Sequence, residues 1–126
     1  MTAGQGVPAP SAAPADGPPA YAVGWLRNVR MGPDIAAYLR GIDATLAPHG
    51  GRFLIHGGPV TPLEGWWEAD LIVIAFPSAR DAAAWYASEA YQALLPLRTG
   101  SSEGLVAIVE GTEAGHRATD ILRGGE

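Results

Sequence analysis

Six consecutive residues, Leu71-Ile-Val-Ile-Ala-Phe76, carry no polar side chain, and three of them are β-branched. A strand sends successive side chains to opposite faces, so this run is apolar on both. Leu71, Val73 and Ala75 share one face; Ile72, Ile74 and Phe76 share the other. Such a strand belongs in the interior of a sheet that is covered on both sides. The rest of the chain must supply flanking strands, helices for one face and some cover for the second.

The flanking segments read accordingly. Tyr21–Arg27 alternates as a strand, with Tyr21, Val23, Trp25 and Arg27 on one face and Ala22, Gly24 and Leu26 on the other. Gly32-Pro33-Asp34 opens a helix, with proline in the first turn and an acid near the N-terminus. Ile35, Leu39, Ile42 and Leu46 form its apolar stripe, with Tyr38 beside them. Pro48-His49-Gly50-Gly51 ends it. Arg52–His56 is a second strand, closed by Gly57-Gly58-Pro59. After the Leu71–Phe76 strand, Ser78 and Asp81 read as an N-cap pair for a helix through Trp85 and Tyr86. Ser88 is a second N-cap, for a helix to Leu95 that Pro96 breaks or restarts. Leu105–Glu110 is the last strand.

The element order β-α-β-β-α-β predicts an α+β, ferredoxin-like domain over residues 20–112, with a four-stranded antiparallel sheet and two main helices on one face. Residues 1–19, with five of the 11 prolines and a single charge, are expected to be a disordered arm; residues 113–126 read as a loose tail. Two helices on one face leave the second face of an apolar strand bare. A symmetric homodimer with apposed sheets is the expected cover.

Composition narrows the chemistry. The chain has no cysteine and no lysine, its eight basic residues being arginines. That removes a thiolate nucleophile, thiolate metal sites, a Schiff-base amine and the phosphate-loop lysine. A net charge of −5 without a basic run argues against nucleic acid and anionic membranes. No apolar run reaches bilayer length and no secretion-type leader is evident, so a cytoplasmic location is expected. His49, His56 and His116 are scattered, so no metal site and no cofactor are expected.

Acid–base chemistry remains. Strict alternation puts Arg52, Leu54 and His56 on one strand face, making His56 the candidate general base or acid and Arg52 an anion-binding partner. Tyr91 would supply a hydrogen bond, and Arg98 would steady negative charge. Tyr38, Tyr86, Trp25 and Trp66 are candidate substrate contacts. Trp25 reads as a pocket wall or dimer contact. Trp66, in a loop with Trp67, is either a lid or a partner contact.

The set Gly50-Gly-Arg-Phe-Leu54, Gly57-Gly58, Leu63-Glu-Gly65, Phe76-Pro-Ser78, Trp85-Tyr86, Tyr91-Gln92, Pro96-Leu-Arg98 and Val109-Glu-Gly111 resembles the domain-of-unknown-function family DUF1330, within the dimeric α+β-barrel superfamily. His56 stands where that family commonly has Arg, and Ser88-Glu-Ala-Tyr91 replaces its usual Ser-Pro-Glu-Tyr. The resemblance implies a ferredoxin-like protomer and a barrel-forming dimer. It implies no single activity: the superfamily holds cofactor-independent oxygenases, polyketide cyclases, muconolactone-isomerase-like enzymes, haem proteins and stress proteins. The leading expectation is a cofactor-independent isomerase, cyclase, dehydratase or lyase acting on a small carbonyl or carboxylate metabolite. The alternatives are cofactor-free oxygenation of a phenol or enol, and a non-catalytic binding or stress dimer.

Overall fold

A computed structural model describes residues 17–124. Four strands and four helices follow in order: β1 (Ala20–Arg27), α1 (Pro33–Leu46), β2 (Arg52–His56), β3 (Asp70–Phe76), α2 (Ala79–Ala87), α3 (Glu89–Thr99), β4 (Glu103–Glu110) and α4 (Asp120–Gly124). A 3-10 turn, Ala47–His49, closes α1. The sheet order is β2-β3-β1-β4, and all three pairings are antiparallel. This is the expected β-α-β-β-α-β architecture, with β3 an interior strand. Of residues 1–19, expected to be a disordered arm, positions 1–16 lie outside the described residues, and the Pro19 carbonyl accepts from the Gly111 N–H at 2.7 Å. The C-terminal stretch carries the short helix α4, whose Asp120 carboxylate accepts from the Arg117 backbone N–H at 3.0 Å.

The strand register sorts every side chain to a face. Ala22 pairs with Ile74 and Ile108, and Gly24 with Ile72 and Val106. These residues face the helices. Tyr21, Val23, Trp25 and Arg27 face the other way, in register with Ala75, Val73 and Leu71 on β3 and with Val109, Ala107, Leu105 and Glu103 on β4. The core lies on the helix side, where Ala22, Ile74 and Phe76 meet Ile35, Tyr38, Ile42, Leu46, Trp85 and Tyr91.

Two helical expectations change. The buried stripe of α1 is Ile35, Tyr38, Ile42, Thr45 and Leu46, while Leu39 is 37% exposed. The stripe is set by Tyr38, whose large ring is drawn onto the sheet, and Leu39 lands on its margin. Pro96 neither breaks nor restarts α3, which continues to Thr99. Proline removes only one helical N–H here, the one that would reach the carbonyl of Gln92, an exposed residue.

Both caps form as expected. Ser78 Oγ accepts from the Asp81 N–H at 3.1 Å, and Ser88 Oγ accepts from the Tyr91 N–H at 3.2 Å. Ser88 also donates to the Trp85 carbonyl at 2.7 Å. One side chain thus ends α2 and starts α3, setting the angle at which α3 presents Tyr91 and Arg98.

Candidate functional site

Under the helices the sheet is lined by small residues. Ala20, Ala22 and Gly24 run along β1, and large aromatic rings from above fill most of the space. Trp85 from α2 packs against Phe76 and Tyr91, with ring centroids 5.4 Å and 4.2 Å away. Its indole N–H donates to Thr45 Oγ1 at 2.9 Å, and that hydroxyl donates to the Ile42 carbonyl at 2.7 Å. This chain of bonds satisfies the indole inside the core and locks Trp85 against α1.

Between this roof and the sheet remains a cavity of about 40 Å³. Its sheet-side wall is Ala22, Gly24, Ile72, Ile74 and Val106, and its helix-side wall is Tyr38, Trp85, Tyr91 and Arg98. By volume it suits a few waters or the head of a small molecule. The lining is apolar apart from two phenols and one guanidinium.

Those three groups form a connected set. The Tyr38 and Tyr91 hydroxyl oxygens are 2.9 Å apart, and Arg98 Nε donates to the Tyr91 oxygen at 3.4 Å. Tyr38, Tyr91 and Arg98 are 7%, 2% and 9% exposed. Among the described residues no carboxylate pairs with Arg98. A largely buried arginine without an acid partner is unusual, because removing a charge from water is costly unless a counter-charge replaces it. Burial pulls its pKa down, but the bonds and charge coupling to Tyr91 and Tyr38 outweigh that and hold it above its ordinary value. Burial pushes the Tyr38 phenol well above the usual tyrosine range; Tyr91 adds to the rise and Arg98 opposes it. Tyr38 is therefore a neutral hydroxyl at physiological pH.

A proton count shows what the set offers. Two phenols carry two hydroxyl hydrogens, and their mutual bond consumes one. The other hydroxyl hydrogen and the guanidinium N–H groups not bonded to Tyr91 remain as donors. The site is rich in donors and positively charged, and it is walled by hydrocarbon.

The expected residues divide into two groups. Tyr91, Arg98 and Tyr38 come together at the cavity, with the half-buried Tyr86 ring 5.5 Å from that of Tyr91. Arg52 and His56 do not join them, nor do they share a face. A register shift between Phe53 and Ile55 inserts a bulge into β2, so Arg52 pairs with Ala75 while His56 pairs with Ile72. One extra residue reverses the alternation. Arg52 lies on the open face, and His56 lies on the helix side, exposed and stacked on Phe53 at 4.3 Å. Trp25 is on the open face, stacked on Trp67 at 4.7 Å, and so walls no part of this cavity. Trp66 is 84% exposed and, with Trp25, Arg27 and Glu68, borders a separate shallow depression. As a lid it would close that depression and not the Arg98 cavity. Trp85, read from sequence as core, is both core and cavity wall. Gly24, which the sequence does not single out, forms part of the sheet-side wall; its place in the alternating helix-facing row is the signal that could have found it.

The model of the domain of unknown function DUF1330 matches residues 19–112. The chain belongs to the DUF1330 family. Its fold is similar to the crystal structure of methylated RPA0582 protein, at 16% identity over 79% of this chain and 84% of the other, with a TM-score of 0.54. A second crystal structure of RPA0582, a protein of unknown function from Rhodopseudomonas palustris, aligns at 15% identity and TM-score 0.53, covering 76% of this chain and 84% of that one. At these identities the DUF1330 domain and RPA0582 share a fold, and no activity follows from the likeness. Comparison with curated proteins gives no match. Among the described residues no group of three or more His, Asp or Glu could hold a metal ion, and no helix is long and apolar enough to cross a membrane.

Proposed function

We propose that this DUF1330 domain binds a small organic oxyanion, a carboxylate or the enolate of a carbonyl compound, at Arg98, Tyr91 and Tyr38. The observation that carries the proposal is the buried Arg98, which has no carboxylate partner among the described residues, at the wall of a cavity otherwise lined by carbon and two phenols. Among the described residues nothing complements this positive charge at short range, and an added anion would do so. Low local polarity strengthens that attraction, because competing water is scarce.

The same arrangement favours one kind of chemistry. Donors fixed in advance around a developing oxyanion stabilise an enolate more than its parent carbonyl, which lowers the barrier to proton transfer at the adjacent carbon. Isomerisation, cyclisation, dehydration and lyase cleavage all pass through such a species. Among the described residues no His, Asp or Glu lines the cavity, and Tyr38 is held neutral there. In this reading Tyr91, Tyr38 and Arg98 act as donors to the developing oxyanion, and the proton leaving the adjacent carbon passes to a water molecule, not to His56.

Homodimerisation is part of the proposal. Its support is the open face of the sheet, where Trp25 is 40%, Leu105 74% and Val109 50% exposed. A contiguous apolar surface of this kind is what a second sheet would cover.

The test uses small carboxylates and enolisable keto acids in a thermal-shift screen, followed by deuterium exchange of the substrate's α-hydrogens by NMR. Ligands that raise the melting temperature of the wild type and not of Arg98→Gln support the site. Equal stabilisation of both proteins rules it out. Exchange that is catalysed by wild type and lost in Tyr91→Phe supports enolate chemistry; binding without exchange leaves a carrier or sensor in place of an enzyme.

A further inference from the structure

Gly24 sits at the centre of the sheet, flanked by Ile72 and Val106, in extended strand backbone. Neither turn geometry nor a positive φ calls for glycine there. Its sheet-mates on the helix-facing row are branched aliphatics. A Cβ built on Gly24 would meet Ile72 at 3.5 Å and Leu26 at 3.8 Å, ordinary contact distances, and no helix atom would come nearer than these. Packing therefore admits a side chain at this position. A glycine inside a strand weakens it, and where no bulge or bend needs one it marks a place for another group's close approach. Here that group would enter the cavity opposite Arg98.

The second observation concerns the way in. Val106 and Ile108 point toward the helices, yet each is 41% exposed, because the helices leave the β4 edge of the sheet uncovered. Together with Tyr86 they line an open groove of about 260 Å³. Val106 is a wall of both groove and inner cavity. The groove walls are apolar, and Tyr86 offers its ring. Arg98 is the one charged side chain among the lining residues of cavity and groove.

Resting on the oxyanion reading above, we infer that the ligand is a monoanion with an apolar tail. Its charged head lies over Gly24 at Arg98, and its tail passes over Val106 into the groove of Tyr86 and Ile108. Gly24 is then a specificity-determining residue that keeps space for the head. A second charge at the far end of the ligand would sit in a hydrocarbon groove with no partner, so dianions of equal length are selected against.

Isothermal titration of the full chain with straight-chain monocarboxylates from acetate to octanoate tests this, with the matching dicarboxylates as controls. A parallel series of 4-alkyl-2-nitrophenolates distinguishes a phenolate head from a carboxylate head. Affinity should rise by roughly fourfold per methylene beyond butyrate until the groove is filled, as expected for burying CH₂ groups. Dicarboxylates should bind at least about tenfold more weakly than monocarboxylates of the same length. Gly24→Ala should raise the melting temperature of the free protein by roughly 2–6 °C and weaken binding, and Gly24→Val should abolish binding. A merely structural glycine would move neither quantity in that paired way. If Arg98→Gln removes binding while chain length and the Gly24 variants leave affinity unchanged, the tail route and the role of Gly24 are wrong and the oxyanion site stands. If Arg98→Gln binds like wild type, or if neither series gives saturable binding, both readings fall.

Discussion

Arg98 carries a permanent charge into a largely buried place. Proteins seldom keep such a group for stability, since the lost hydration exceeds what two neutral phenols return. Replacing it with a hydrocarbon of similar length should therefore not harm folding. Arg98→Met is expected to leave stability unchanged or raise it by about 1–3 kcal/mol, measured by urea denaturation, while abolishing anion binding. Loss of stability by a comparable amount would mean that the guanidinium is a structural strut. The adjacent phenol makes a pH prediction. Tyr38 ionises well above the usual tyrosine range when folded and near pH 10 when unfolded. The native state thus holds its proton more tightly, and the stability from this difference is fully present below about pH 10. It declines as pH rises beyond that value, at up to about 1.4 kcal/mol per pH unit from this one group. Tyr38→Phe should flatten that part of the alkaline unfolding curve. An unchanged slope would show that Tyr38 ionises normally in the fold.

Among the elements, α3 does the positioning, and its N-terminus is tied to α2 by Ser88. Ser88→Ala removes both the bond from the Tyr91 N–H and the bond to the Trp85 carbonyl. A loss of about 1 kcal/mol is expected, the usual worth of a serine cap. Ligand affinity should fall as well, because Tyr91 and Arg98 lie on the helix that is loosened. A stability loss with full affinity would show that the helix is held by its packing alone. The caps, the starts of the three main helices and the apolar interior strand were legible from the sequence because each depends on residues within one or two turns of one another; the run of α3 past Pro96 to Thr99 and the short helix α4 were not. Nor was the bulge in β2. Arg52-Phe-Leu-Ile-His56 alternates cleanly in one dimension, and only pairing with β3 reveals that one residue is skipped. That single shift moved Arg52 and His56 to opposite faces and removed both from the expected site.

For the whole molecule, the unresolved demand is the sheet's second face. Dimerisation through this face predicts that Leu105→Asp with Val109→Asp converts a dimer to a monomer in analytical ultracentrifugation at micromolar concentration. Both residues are well exposed in the protomer, so a protein that is monomeric without the substitutions would refute the proposal outright. The Arg98 cavity lies on the helix side, opposite Trp25 and Arg52. The double substitution should accordingly leave monocarboxylate affinity within about twofold of wild type, as distant sites act nearly independently.

The β-α-β-β-α-β order follows from the sequence by itself, because alternation, helical periodicity and capping are local properties of the chain; the family is legible in its set of short motifs. The charge balance and the missing lysine and cysteine also limited the chemistry before any fold was known. The place where that chemistry is concentrated was decided only in three dimensions. Tyr38, Tyr91 and Arg98 come from two helices: Tyr91 and Arg98 share one face of α3 at a spacing of seven, but Tyr38 lies 53 positions before Tyr91, and no spacing rule links it to them. Their meeting depends on small residues along β1 leaving room beneath the helices, and on tertiary packing stripping a guanidinium of water without giving it a carboxylate.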